Sequence, residues 1–366
     1  MGLLQGYTID FAPVFLIEQE IGEARNFGLL GDLESLVLND GIVRDFISGN
    51  GTADVIISNT GIIGSSGRAE TVIQVTGTGQ RLITNDGIIN GDIQLGGGAD
   101  YILNSGLIDG DIRMGGGDDI FVQTSTGTVS ERLIMGSGDD IVINTGSVGH
   151  VFLGSGDDLY VAEQSDATAS SIRGGTGDDT VRGGTANDVI SGGDGQDLLQ
   201  GNDGNDRIFG NDGADDLQGG IGNDFLNAGR GSDVLVGGDG RDKLLGSSGQ
   251  DTLIGGNDND TLSGGSGDDV FIFERGSGRD VITDFRDGDV IVLASSFVPA
   301  VPGAVEALGV DALIDSVTTY VGGNAFVNLD ALYATIGMSD LSAGRINSLR
   351  LNNVEENSLT ADDFIL

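Results

Sequence analysis

Eleven aspartates recur at intervals of nine residues in this 366-residue chain: Asp179, Asp188, Asp197, Asp206, Asp215, Asp224, Asp233, Asp242, Asp251, Asp260 and Asp269. Each stands sixth in a unit Gly-Gly-x-Gly-x-Asp-x-(apolar)-x, and these units run without interruption through residues 174–272. Glycines at positions one, two and four let the backbone turn through positive φ and bring carbonyl oxygens together, and the aspartate adds a carboxylate. Such an all-oxygen donor set suits Ca2+, which accepts roughly six to eight oxygens in a tolerant geometry; Mg2+ demands a stricter octahedron and retains its water.

The elements that must hold these carboxylates follow from the same period. The eighth position is always apolar, from Val181 through Leu217 to Phe271. A unit this short buries its one apolar side chain only by stacking on its neighbours, which is the mark of a solenoid. The residues left over are too few for a helix and suit a very short strand. Two units, eighteen residues, make one flattened coil with a glycine turn on each edge, so each turn stacks under the turn two units later. Asp179, Asp197, Asp215, Asp233, Asp251 and Asp269 then line one edge, and Asp188, Asp206, Asp224, Asp242 and Asp260 the other. Carboxylates about 5 Å apart repel strongly unless cations lie between them.

This stretch resembles the RTX calcium-binding β-roll of secreted bacterial proteins. Departures are Ala186 and Asp258 at the fourth position and Ala228 at the first. A disordered Gly/Asp-rich linker would have no reason to keep an apolar residue in every unit. After residue 272 the strict period breaks, and Gly278-Arg279-Asp280-Val281-Ile282-Thr283-Asp284-Phe285 followed by Gly288-Asp289-Val290-Ile291 is similar to the segment that closes such rolls, where Asp280, Asp284 and Asp289 could reach the last ions. The tail Asp362-Asp363-Phe364-Ile365-Leu366 resembles the uncleaved type I secretion signal. The resemblance implies several bound Ca2+ ions, export by type I secretion machinery and a bacterial extracellular or cell-surface location.

A looser repeat of about twenty residues precedes the nonapeptides. Asn39, Asn59, Asn85, Asn104 and Asn144 each open an Asn-x-Gly turn. In the later coils a Gly-x-Gly-x-Asp turn follows, ending in Asp100, Asp119, Asp140 and Asp158. A parallel β-helix continuous with the roll is expected here, with calcium turns on one edge and stacked asparagines on the other. The fold class is therefore all-β: a right-handed parallel β-helix continuing into a calcium-binding parallel β-roll, with small capping elements at both ends. Residues 1–38 are expected as a cap with one short helix near 18–30. Residues 39–173 then form the β-helix and 174–272 the roll. A C-terminal region, 273–366, should hold helices near 305–316 and 329–336, strands near 319–327 and 346–351, and the secretion signal. One ion between each stacked pair gives on the order of a dozen sites.

Composition narrows the function. With 57 acidic against 17 basic residues and a formal charge of −40, nucleic acid is excluded as a partner, and folding is coupled to cation concentration. No cysteine is present, so ions take the stapling role of disulfides. No membrane span is visible. The single histidine, His150, rules out a multi-histidine metal site or relay and is expected in an exposed loop. No Gly-x-Ser-x-Gly occurs either. Arg113 and Arg132 lie in neighbouring coils, as the arginines of β-helical polysaccharide lyases and epimerases do, but solvated strand-face arginines balancing carboxylates explain them as well. The favoured class is a non-enzymatic structural protein that self-associates in calcium into a surface layer, filament or biofilm matrix. A calcium-dependent adhesin or polysaccharide-binding protein is the alternative.

Overall fold

The structure is a computed structural model, and it describes residues 35–43, 47–52, 54–64, 71–162, 171–274, 277–293, 318–321, 324–328, 348–352, 354, 359 and 364–365. Among the described residues every regular element is a strand. The helices expected near 18–30, 305–316 and 329–336 lie outside them. The chain divides into two compact units, one of residues 1–142 and 146–148 and one of residues 143–145 and 149–366.

In the first unit Ser35–Asn39, Val55–Asn59, Arg81–Asn85, Tyr101–Asn104 and Ile120–Gln123 pair in succession, all parallel. Register advances by 20, 26, 19 and 19 residues: Val37 faces Ile57, Ile57 faces Ile83, Leu82 faces Tyr101 and Tyr101 faces Ile120. The coils add further strands, such as Leu107–Ile108 and Ile112–Gly116 after Tyr101–Asn104, and the single strand Thr128–Ser137 after Ile120–Gln123. Alternation places Ile83, Ile89, Ile93, Ile102, Ile108 and Ile112 inward, all fully buried.

The second unit opens with a coil of 21 residues, His150 facing Ser171, and over the nonapeptides has two strands per coil and a register of 18, as the repeat requires: Leu199 faces Leu217, and Ile208 faces Leu226. All eleven eighth-position side chains are fully buried, so one apolar residue per unit builds a continuous core. The strands are longer than the spacing suggests. Leu198–Asp203 and Arg207–Asp212 each cover six residues, because the first three positions of the next unit extend the pairing.

The roll does not stop at residue 272. Its period stretches from 18 to 20, with Thr261 facing Val281 and Val270 facing Val290. Beyond that coil, Ser348–Asn352 adds in parallel to Arg279–Ile282, and Asn324–Asn328 and Thr318–Val321 follow antiparallel. Phe364–Ile365 adds in parallel to Ile291 and Val292. Strands thus cover both sheets of the last coil, as an open solenoid end requires.

Candidate metal centre

Each site aspartate immediately precedes a strand, where the glycine turn hands the chain back to the sheet. In unit 174–182 Gly175 and Gly177 have φ of 131° and 119°. Asn202, Asn211 and Ser247 also depart from glycine, at the second position, and with Asp258 they carry φ of 73° to 86°. Asparagine and aspartate tolerate this region best after glycine.

The first-position glycine answers a different demand. A Cβ on Gly174 would lie 2.1 Å from Asp179 Oδ2 and 2.7 Å from the Gly192 carbonyl oxygen one coil on. Gly201 meets Asp206 Oδ2 at 2.2 Å and Gly219 O at 2.7 Å, and Gly246 meets Asp251 Oδ2 at 2.3 Å and Gly264 O at 2.5 Å. A carboxylate oxygen and a carbonyl from the next coil thus converge beside each such glycine. Ala228 puts a real, buried Cβ into this position above Asp233.

The carboxylates form the ladders expected of them, and the rungs are hydrogen bonds. The N–H of each aspartate donates to Oδ1 of the aspartate one coil on. On one edge of the second unit these bonds run from Asp158 to Asp179 and on through Asp197, Asp215, Asp233, Asp251 and Asp269, at 2.8–3.0 Å. On the other they run from Asp188 through Asp206, Asp224, Asp242 and Asp260 at 2.7–2.9 Å. In the first unit Asp100 N donates to Asp119, and Asp119 N to Asp140, both at 2.7 Å.

Two further aspartates complete the second unit's ladders. Asp260 N donates to Asp280 Oδ1 and Asp269 N to Asp289 Oδ1. Asp284 lies off the ladders and caps the last turn by accepting the N–H groups of Gly264 and Gly265.

Along the ladders Oδ2 has no protein partner although buried: this holds for Asp100 and Asp119, for Asp179, Asp197, Asp215, Asp233, Asp251 and Asp269, and for Asp206, Asp224, Asp242 and Asp260. At the ends the chain supplies a donor: Gly184 N bonds Asp188 Oδ2 and Arg286 N bonds Asp289 Oδ2. Burial pushes Asp119 up to about 8. It pushes Asp100, Asp179, Asp206, Asp215, Asp242, Asp251, Asp260 and Asp280 up to about 7, against an ordinary 3.8. The accepted N–H bonds oppose the rise, and neighbouring carboxylates add to it for most of these groups. Ionised and alone, these groups are out of place; a divalent cation would hold them ionised. No three His, Cys, Asp or Glu side chains gather at one point among the described residues; the oxygens on offer to a cation would be those of paired aspartates and the main-chain carbonyls that converge beside the first-position glycines. That set fits Ca2+.

At the other end of the first unit's strands runs the expected amide ladder. Asn39 Nδ2 donates to Asn59 Oδ1, Asn59 to Asn85 and Asn85 to Asn104, each at 2.7 Å. Gln123 takes the next rung, accepting from Asn104 at 2.9 Å. Asn144 donates to the buried Tyr160 hydroxyl at 3.1 Å. Counting four residues on from each ladder aspartate finds Gln123, where Asn-x-Gly does not. His150 is exposed as expected, but on a strand paired with Ser171. Arg113 and Arg132 both pair with Asp111, and Arg113 also with Asp92.

Stacked glycine turns with a buried aspartate ladder on each edge define the second unit's coils as a calcium-binding parallel β-roll. Residues 173–208, 200–235, 209–244, 236–271 and 245–282 match the RTX calcium-binding nonapeptide repeat, and this segment belongs to that family. The chain thus carries RTX calcium-binding nonapeptide repeats on a parallel β-helical fold, with sites for multiple Ca2+ ions. No curated protein matches the chain. Among solved structures, a hyperactive Ca2+-dependent β-helical antifreeze protein from an Antarctic bacterium is 18% identical, covering 71% of this chain and 84% of that one, with a TM-score of 0.46. The extracellular lipase LipA from Serratia marcescens is 15% identical, covering 57% of this chain and 45% of that one, with a TM-score of 0.21. Neither likeness bears on what this chain does.

Proposed function

We propose that this is a secreted bacterial structural protein that leaves the cell through type I secretion machinery, folds on extracellular Ca2+ and self-associates. Its ligands are the aspartates of the three-part set: Asp100, Asp119, Asp140 and Asp158 in the β-helical coils, then the two nonapeptide series from Asp179 and Asp188, extended by Asp280 and Asp289. The observation that carries this reading is the run of buried carboxylate oxygens that the protein leaves without a donor along the ladders. In cytoplasm poor in Ca2+ the ladders repel, which keeps the chain extended for export; outside, the ions collapse it.

Self-association is supported by the outward face of the sheet built on Thr180–Arg182. Leu198, Val234, Val236, Ile254, Val270 and Ile272 point outward there; Asp216 interrupts them, and Arg182, Gln200 and Gln218 share the outward rows toward the first coils. Val234 is 39% exposed. On a chain of charge −40 a largely aliphatic stretch from Val234 to Ile272 is a contact surface, and a second copy with its acidic turns neutralised by Ca2+ can cover it. Sedimentation velocity and negative-stain microscopy at millimolar Ca2+ test this: assemblies are expected, and Val234→Glu should disperse them. A monodisperse monomer at every concentration overturns self-association.

One observation favours an adhesin as the second reading. On the opposite sheet the Arg207 guanidinium lies 4.8 Å from the Phe225 ring centroid and Lys243 Nζ 5.6 Å from it, with Phe209 5.7 Å from Phe225. Cations among aromatic rings suit an acidic polysaccharide. A glycan array with and without EGTA separates the readings, since Arg207→Ala with Lys243→Ala would abolish such binding and leave assembly intact.

A further inference from the structure

The metal ladder of the first unit has a beginning, and the residue found there is an arginine. Gly77-Thr78-Gly79-Gln80-Arg81 repeats the pattern Gly96-Gly97-Gly98-Ala99-Asp100 with arginine in place of aspartate. The two turns stack as the calcium turns do: a Cβ on Gly96 would meet Gly77 O at 2.3 Å, and one on Gly98 would meet Gly79 O at 2.0 Å. Arg81 N donates to Asp100 Oδ1 at 2.8 Å, as Asp100 N donates to Asp119. Arg81 therefore stands at an aspartate's rung. On its far side the register places Val55, which offers no carboxylate.

Its side chain is buried, at 2% exposure, where an unpaired charge is costly. Nη2 donates to Thr76 O at 3.0 Å, but Nε and Nη1 have no partner, and neither does Asp100 Oδ2. A buried cation thus stands one rung before a buried anion.

We propose that the turn of residues 77–81 is a calcium turn whose ion is replaced by the chain's own guanidinium, so that Arg81 supplies the first cation of the Asp100 ladder. Divalent metal binding then starts one turn later, between Asp100 and Asp119. This rests on the ladder aspartates being the Ca2+ ligands.

The test is a count of Ca2+ in the full-length chain by elemental analysis after gel filtration in millimolar CaCl2, with circular dichroism as the check on folding. R81D completes the Gly-x-Gly-x-Asp turn and is expected to carry one ion more than the parent. R81K keeps the cation and should match the parent. R81M, with neither cation nor ligand, should keep the parent's count but need more Ca2+ to reach half its strand signal. Folded R81D with the parent's count overturns the proposal, as does R81M with the parent's calcium midpoint. Should R81D fail to fold, R81M against R81K decides. An unchanged ion count in Asp215→Ala with Asp233→Ala would refute the ladder assignment itself, whatever Arg81 does.

Discussion

Asp197 N–H donates to Oδ1 of Asp215 at 2.9 Å across one coil, while the other oxygen of Asp215 lies buried beside Gly210 with no protein donor. Half of each carboxylate thus holds the backbone register, and half is left for a cation. The same side chain cannot satisfy the coil and remain ionised without metal, which ties folding to calcium.

Protons should replace calcium in part. The ladder carboxylates have folded values raised from 3.8 to about 7, as at Asp206 and Asp215, or about 8 at Asp119. A raised carboxylate contributes stability that is full below its unfolded value and is lost as pH rises through its folded value. Metal-free protein should therefore show strands near pH 4 and lose them as pH passes 6 to 8. Circular dichroism in metal-free buffer checks this, and strand content that rises with pH would contradict it.

The first-position glycines should be sensitive through the metal. Gly246→Ala drives a Cβ toward Asp251 Oδ2 and Gly264 O, at a cost of about 1–3 kcal/mol. Ala228→Gly removes a Cβ from the same position above Asp233 and should tighten calcium binding, although glycine loosens the unfolded chain by about 0.5–1 kcal/mol. Calorimetric titration of both variants reads the two signs.

Much of this was legible as periodicity. The interval of nine places Asp179 to Asp269 in two ladders, and the apolar eighth position names the core. Asp280 and Asp289 escape a strict count because the coil lengthens to 20 residues; the closing segment names them together with Asp284, and register shows which two join the ladders. Gln123 escapes because an amide one methylene longer serves the same bond. Arg81 escapes because a motif defined by its aspartate hides the rung where the charge is reversed.

The amide ladder should be indifferent to calcium. Asn85 is buried, accepts from Asn59 and donates to Asn104 and to the Leu107 carbonyl. Asn85→Ala leaves buried polar groups unpaired on both sides and should cost about 2–4 kcal/mol. Denaturant unfolding at saturating Ca2+ should show that loss, with the ion count unchanged.

Removing residues 363–366 should abolish export through the proposed type I route. It also deletes the strand Phe364–Ile365 beside Ile291 and Val292, yet leaves every ladder aspartate through Asp289 in place. Purified truncated chain should therefore bind as much calcium as the parent. Secretion of the truncation at the parent's level would reject the assignment of the signal.

A calcium titration of the metal-stripped chain at pH 7.5, followed by far-ultraviolet circular dichroism, bears most directly on calcium-coupled folding. Strand signal should appear cooperatively as Ca2+ rises through ~0.1 to 1 mM, the range of extracellular modules, and should vanish again on adding EDTA. Full strand content in EDTA at that pH, unchanged by calcium, would contradict it.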